Sequence, residues 1–426
     1  MTILLTVKSA LLLVAALLRI GSTIATSAPY PPPREDKHLQ QAKAVFEWVA
    51  QSEGSIVHPK QEVRRAIPSD ISSPLGVYAT EDIEEGEILT HVSWDNIITV
   101  GLPEDHGEQL PCGLVVKLTE ELKLGKDSNF APYVEYLNDE ADGQIPSSWS
   151  KDGRDVFLEV VEKEIPPLTQ LDWFEEARTY CKLDAAIDPF IRKAILLIIQ
   201  RSDDDIMIPA YDSYNHRNGN FTNTQVHCET GEYHQVKARY RIPRGDQILL
   251  SYNQCDECGG RSHFYGTAEM LRDYGFVEYF PQRWHFTSEY YHFDLGYYDD
   301  DKNITLIWDD EYHPPRDDEE ELQETVEWFQ AEIERLQKLR PTLERNDKGV
   351  DSHELSTVLE FLDANVFAMR MAVESLKDHM AWMDEEGWPQ DSDDEDAEED
   401  DSDTDDEGES EDAGGDGLPG EAETEL

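Results

Sequence analysis

The residues best equipped for chemistry lie between Ile206 and Val277, in three stretches: IPAYDSYNHRNGN, YRIPRGDQILLSYN and GTAEMLRDYGFVEY. Together they bring a carboxylate (Asp212), an amide (Asn215), an imidazole (His216) and two phenols (Tyr252, Tyr274). Just upstream, the apolar run from Phe190 to Ile199 leads to Arg201. These side chains supply donors and acceptors, a planar fork suited to a carboxylate, and aromatic walls. Such a set suits a site that works by holding and aligning a ligand. Taken singly, each is ordinary: Tyr252 fits a strand aromatic, Arg201 a charge at a helix C-terminus and Asp212 a turn former. Their order is less ordinary, with a D-x-x-N-H loop followed some thirty to forty residues on by RGDQILLSY and then DYGF.

The elements that must position these residues follow from periodicity and turn chemistry. Leu39, Ala42, Phe46 and Val49 recur on one face and predict a helix over 35–51. GVYAT and ILTHV, separated by the turn EEGE, predict two short strands. Residues from Pro111 to about Gln200 read as mainly helical, and strands return after Ile206. EYHQVKARYRI and QILLSY are separated by the turn Pro243-Arg244-Gly245-Asp246. Two helices are expected near 319–339 and 354–383, the second with Leu355, Leu359, Leu362, Phe367 and Leu376 near a helical period. Short strands split by a helical insertion, then a helical end, make an α+β chain.

Composition narrows the partners. The 426 residues carry 92 acids against 36 bases, a net charge of −56, which excludes electrostatic binding to nucleic-acid phosphates. About twenty of the acids, with no base, fall in 391–426, a tail that cannot fold alone. The rest is still acidic, so a protein partner with a basic segment is the natural complement. Residues 1–28 read as a signal or targeting peptide, with Lys8, an apolar run from Ala10 to Leu18 and the small-residue stretch GSTIATSA. That run is too short for a bilayer, which needs ~20 residues, so no stable membrane span is expected. The secretory pathway is the first expectation for localisation. A two-part plastid address, or the cytosol or nucleus with the leader unused, are the alternatives. Asn220-Phe-Thr and Asn303-Ile-Thr are glycosylation sequons that matter only on a secretory route. The five cysteines are too few and scattered for a disulfide framework, and only Cys255 and Cys258 stand at CxxC spacing. Zinc needs four ligands, so this pair, even with His263 or Cys228, assigns no metal.

Order and spacing together resemble the SET-domain methyltransferases of the type that includes the Rubisco large-subunit lysine methyltransferase and the actin-histidine methyltransferase. PLGVYATEDIEEGEILTHV is similar to that family's opening element, and FAPYVEYLND to its W-x-P-Y-x-x-x-L-P stretch; the resemblance covers roughly 70–280. It implies a SET-domain β-fold of short strands with a long helical insertion and a helical C-terminal region. The divisions are then a targeting peptide at 1–28, an N-terminal helical segment at 29–69 and a SET domain at 70–282 with its insertion about 101–204. A helical region at 283–390 and the disordered tail at 391–426 follow.

The same resemblance implies an S-adenosylmethionine-dependent protein methyltransferase acting on lysine, with histidine as an alternative acceptor, in a monomer. Asn215 and His216 would hold the cofactor with Asp212 beside them, Arg201 would pair with its carboxylate, and Leu75 and Gly76 would line its adenosyl group. Tyr252 would stand at the point of methyl transfer, with Tyr274 near the same wall. Where the family has Gly-x-Gly this chain has Pro74, Leu75 and Gly76. A proline has no amide hydrogen to offer, which leaves a SET scaffold with weak turnover that binds peptides as the alternative reading.

Overall fold

The computed structural model describes residues 36–101, 110–141, 145–161, 173–203, 205–252, 265–286, 291–297, 303–309, 313–314, 318–386 and 388. The leader, the CxxC pair with His263, and the acidic tail lie outside the described residues.

Helix α1 (Lys37–Gln51) starts where the Asp36 carboxylate accepts from Leu39 N at 3.0 Å, and it buries Ala42, Val45, Phe46 and Val49, close to the predicted stripe. Strands β1 (Ile56–Val57), β2 (Gln61–Arg65), β3 (Leu75–Ala79) and β4 (Ile88–Ser93) follow. The two expected strands are therefore β3 and β4, but they do not pair with each other. β3 pairs antiparallel with β2, and β4 runs in a four-stranded sheet between β1 and β9 (Tyr233–Ala238), with β8 (Thr224–Glu229) at the edge.

The helical stretch resolves into α2 (Cys112–Leu124), α3 (Ala131–Asp139), α4 (Lys151–Val160), α5 (Trp173–Glu176) and α6 (Pro189–Arg201). Pro189 at the first position and the Asp188 cap explain where α6 begins. A disulfide joins Cys112 to Cys181, across 69 residues of sequence, a pairing that cysteine spacing did not indicate.

Short strands β5 (Ser202–Asp203), β6 (Ile206–Met207), β7 (Asn215–His216) and β10 (Leu249–Leu250) lead to α7 (Thr267–Tyr274). Beyond it the 283–390 region is not helical from its start. The aromatic residues there build a three-stranded antiparallel sheet, β11 (Gln282–Phe286), β12 (Tyr291–Gly296) and β13 (Thr305–Trp308), ahead of α8 (Glu319–Glu344) and α9 (Ser352–Glu386). Alternating buried aromatics at Trp284, Phe286, Tyr291 and Phe293 explain the strands.

Two hydrophobic cores result. One joins α1, the strands up to β10, and helices α2, α3 and α6. The other joins α4, α7, the aromatic sheet, α8 and α9. The insertion is therefore not one unit, because α4 belongs with the C-terminal helices. The Glu354 carboxylate accepts from Ser150 N (2.7 Å) and Ser150 Oγ (2.6 Å) at the α4 cap, which ties the two together. Among the described residues no helix is long and apolar enough to cross a membrane.

Candidate functional site

Three separate segments meet at one place. β7 and β10 pair in parallel, with Leu249 opposite Asn215 and Leu250 opposite His216, so the polar loop and the start of the LLSYN segment lie side by side. The turn Pro243–Asp246, with Asp246 N donating to Pro243 O (3.2 Å) and Gly245 at φ +91°, then sets Ile248 N against Val77 O at 2.8 Å. This brings β3 to the same junction. Asn215 Nδ2 donates to Leu75 O at 2.8 Å. A Cβ on Gly76 would stand 2.9 Å from Asn215 Nδ2 and 2.4 Å from Gln247 Nε2, so a larger residue here would push both side-chain amides aside.

Beside the junction lies a cavity of about 600 Å³, within the range usual for small-molecule sites. Leu75, Arg201, Asp212, Asn215, Tyr252 and Tyr274 all line it. Gly76 and His216 stand behind this wall and act through their neighbours. The His216 side chain is 2% exposed; its Nδ1 accepts from Tyr252 N at 3.0 Å, so Nε2 carries the ring proton and donates to Glu278 at 2.8 Å. The Tyr252 hydroxyl donates to Tyr214 O at 2.7 Å, and its ring lies 4.7 Å from that of Tyr274 and 5.0 Å from that of His216. Burial, with Tyr274 beside it, pushes the Tyr252 phenol well above its ordinary range, so it is a neutral hydroxyl rather than a base.

The opposite wall is charged. Arg201 donates to the Asp212 carbonyl and carboxylate (both 3.3 Å), pairs with Glu140, and lies over the Tyr136 ring at 5.3 Å. Its fork is thus held by protein carboxylates, where the resemblance implied a ligand carboxylate. Burial lowers its affinity for a proton, but Tyr136, Glu140 and Asp212 outweigh this and hold the guanidinium charged. At Asp212 burial wins instead: it raises the pKa more than Arg201 and the Tyr133 hydroxyl (2.9 Å) lower it. Its second oxygen, Oδ1, is buried with no hydrogen-bond partner. At the rim, His38 stacks on Tyr136 at 5.0 Å, and Arg65 is tied to Asp36 at 2.8 Å.

Sequence reasoning missed several participants. Glu278 is 2% exposed and receives His216, Asn218 Nδ2 (2.9 Å) and Thr267 Oγ1 (2.6 Å). Its signal was available: a lone acid among Phe276, Val277 and Tyr279, four residues past Tyr274. Glu140 and Tyr133 lie in or beside the FAPYVEYLND stretch, but their convergence on Arg201 and Asp212 is tertiary. No group of three or more potential ligands that could hold a metal occurs among the described residues.

The class defined so far is an α+β protein with an aromatic, mixed-charge cavity where short strands converge. No family model matches the chain, and no curated protein does. Solved structures similar to it include the SET domain of LSMT bound to methyllysine and AdoHcy, at 14% identity, covering 81% of this chain and 92% of that one, with a TM-score of 0.49. Rubisco LSMT bound to AdoMet is similar at 14% identity and TM-score 0.48, and Rubisco LSMT bound to sinefungin and monomethyllysine at 14% and 0.47. Each covers 81% of this chain and 93% of its own.

Proposed function

We propose that this chain is an S-adenosylmethionine-dependent protein methyltransferase whose acceptor is a lysine side chain, with histidine as the second choice. The observation that carries the reading is the β7–β10 pairing, which sets Asn215 and Tyr252 on one wall of a single cavity.

The residues fit a zwitterionic sulfonium ligand. The unpartnered Asp212 Oδ1 is an acceptor suited to an ammonium group, and the charged Arg201 beside it favours a carboxylate nearby while its own fork stays on Glu140 and Asp212. When bound, the cofactor supplies a methyl group already activated by its positive sulfur. The protein's task is then alignment and exclusion of water, and neither a metal nor a nucleophilic side chain is needed. Because the Tyr252 hydroxyl gives its proton to Tyr214 O, its oxygen is left to accept, and it can orient the acceptor nitrogen and weakly hold polarised C–H groups. An amine attacks only when neutral, while free lysine keeps its proton to about pH 10.4. The Tyr252, Tyr274 and Phe276 rings disfavour that charge by desolvation. The acidic body supports a target in a basic context, recognised more weakly in high salt.

A second reading, a binding scaffold with little turnover, is favoured by one observation. Asn215 and Arg201 are already paired within the protein, to Leu75 O and to Glu140 with Asp212. Calorimetric binding of S-adenosylmethionine, and labelled methyl transfer to proteins of a cell extract, separate the two. The enzyme reading expects both, with transfer lost and binding kept in Tyr252→Phe. Peptide binding without any transfer in the parent protein would leave only the scaffold.

A further inference from the structure

The two sequons acquire weight once placed in the fold. Asn220 sits on the short turn Gly219–Phe221 that follows β7, and Asn303 sits two residues ahead of β13, an edge strand of the aromatic sheet. Both asparagines are exposed, neither lines the cavity, and neither amide is hydrogen-bonded among the described residues. Both are followed by a non-proline residue and a threonine, the form an N-glycosyl acceptor takes.

The Cys112–Cys181 bridge is an independent observation pointing the same way. Its Cα atoms are 5.2 Å apart, and it ties the first residue of α2 to the end of the turn after α5. Disulfides of this structural kind persist where the surroundings oxidise, in the secretory route, and are rare where thiols are kept reduced. The leader-like composition of 1–28 is the third observation, drawn from residues that contribute to neither of the others. The exposed amides, the bridge and the leader-like composition are three separate observations that agree.

We infer that this chain passes through an oxidising lumen and carries N-linked glycans at Asn220 and Asn303. In the transfer step the side-chain amide nitrogen displaces the pyrophosphate of a lipid-linked oligosaccharide. A C–N bond forms at the anomeric carbon, the C–O bond to pyrophosphate breaks, the lipid pyrophosphate departs with the bonding electrons, and one amide proton is released. Both glycans stand on the outside of the fold, so each adds a hydrated cover without displacing a packed side chain.

The test is expression of the full chain in a eukaryotic cell, followed by treatment with a peptide N-glycan amidase. Two mobility steps should collapse, leaving aspartate at 220 and 303 in mass spectra. Asn220→Gln and Asn303→Gln should each remove one step, and Thr305→Ala should repeat the second without touching the asparagine. The inference is overturned by a chain whose leader has been removed and whose Cys112–Cys181 bridge has formed, yet whose two asparagines are bare. It is equally overturned by a chain that keeps its leader, has both thiols free and bears no sugar. A single step overturns the assignment at whichever site stays bare.

Discussion

Replacing Glu278 separates its charge from its shape. Its carboxylate accepts three buried donors, from His216, Asn218 and Thr267. Glu278→Ala strands all three, and each buried polar group left unpaired costs about 1–3 kcal/mol, so a loss of roughly 3–9 kcal/mol is expected. That is a large share of the ~5–15 kcal/mol that holds a typical domain folded. Glu278→Gln should cost only about 1 kcal/mol. The glutamine oxygen can face His216 and Asn218, and its amide can donate to the Thr267 hydroxyl, which reverses its own role. Urea unfolding gives the stability, and calorimetry with sinefungin gives ligand affinity. His216 holds Tyr252 N, so the alanine variant should also bind sinefungin at least tenfold more weakly at temperatures where it remains folded, while the glutamine variant stays within a few-fold. If both variants lose the same stability, or if alanine costs under about 1 kcal/mol, the hub reasoning is wrong.

Three further perturbations test other parts of the structure. Breaking the bridge with Cys112→Ser and Cys181→Ser frees a loop of 69 residues; the chain-entropy account puts the loss near 4 kcal/mol, and thermal melts with and without reductant should show the same drop in the parent. A melting point that ignores reductant would remove this bridge from the account. Gly76→Ala sets a methyl against the amide ends of Gln247 and Asn215, which must swing aside; because Asn215 then gives up Leu75 O, ligand affinity should fall with the fold kept by circular dichroism, and unchanged affinity would show that the amides shift at no cost to the site. The Arg65 hydrogen bond holds the Asp36 carboxyl down to about 2, against burial that raises it. A depressed pKa means the contribution is complete above the unfolded value near 3.9 and is lost as pH falls toward 2. At this rim position it should be of order 1–2 kcal/mol; Asp36→Asn should flatten the acid limb of stability between pH 4 and 2, and an unchanged limb would refute it.

What the sequence revealed and what it hid divide along physical lines. The turn at Gly245 and the α1 stripe depend on neighbours a few residues away, and they could be read in order. The convergence of Asn215 with Tyr252 depends on distant contacts, and it was implied by the family resemblance rather than by any local signal. The partners of each strand could not be read in order. GVYAT and ILTHV look like two arms of one hairpin, yet β3 pairs with β2, while β4 is paired on both edges by β1 and β9. The aromatic sheet fell inside the expected helical region 283–390 because its strands are short and part of each connecting stretch is acidic.

The site shows the same division in sharper form. Leu75, Arg201, Asp212, Asn215, Tyr252 and Tyr274 were implied by the resemblance and do line the cavity, whereas the groups that hold them were not foreseen. Glu278 works only because its two oxygens are surrounded by donors from three different segments, and Arg201 because Glu140 and Asp212 arrive from α3's end and from the turn before β7. A buried carboxylate is costly unless such donors converge, since desolvation of the charge has to be offset by hydrogen bonds from outside its own segment. The convergence is therefore a property of the packed molecule. It follows that exchanging DYGFVEY into a chain without Thr267, Asn218 and His216 in place should strand the acid rather than recreate the site.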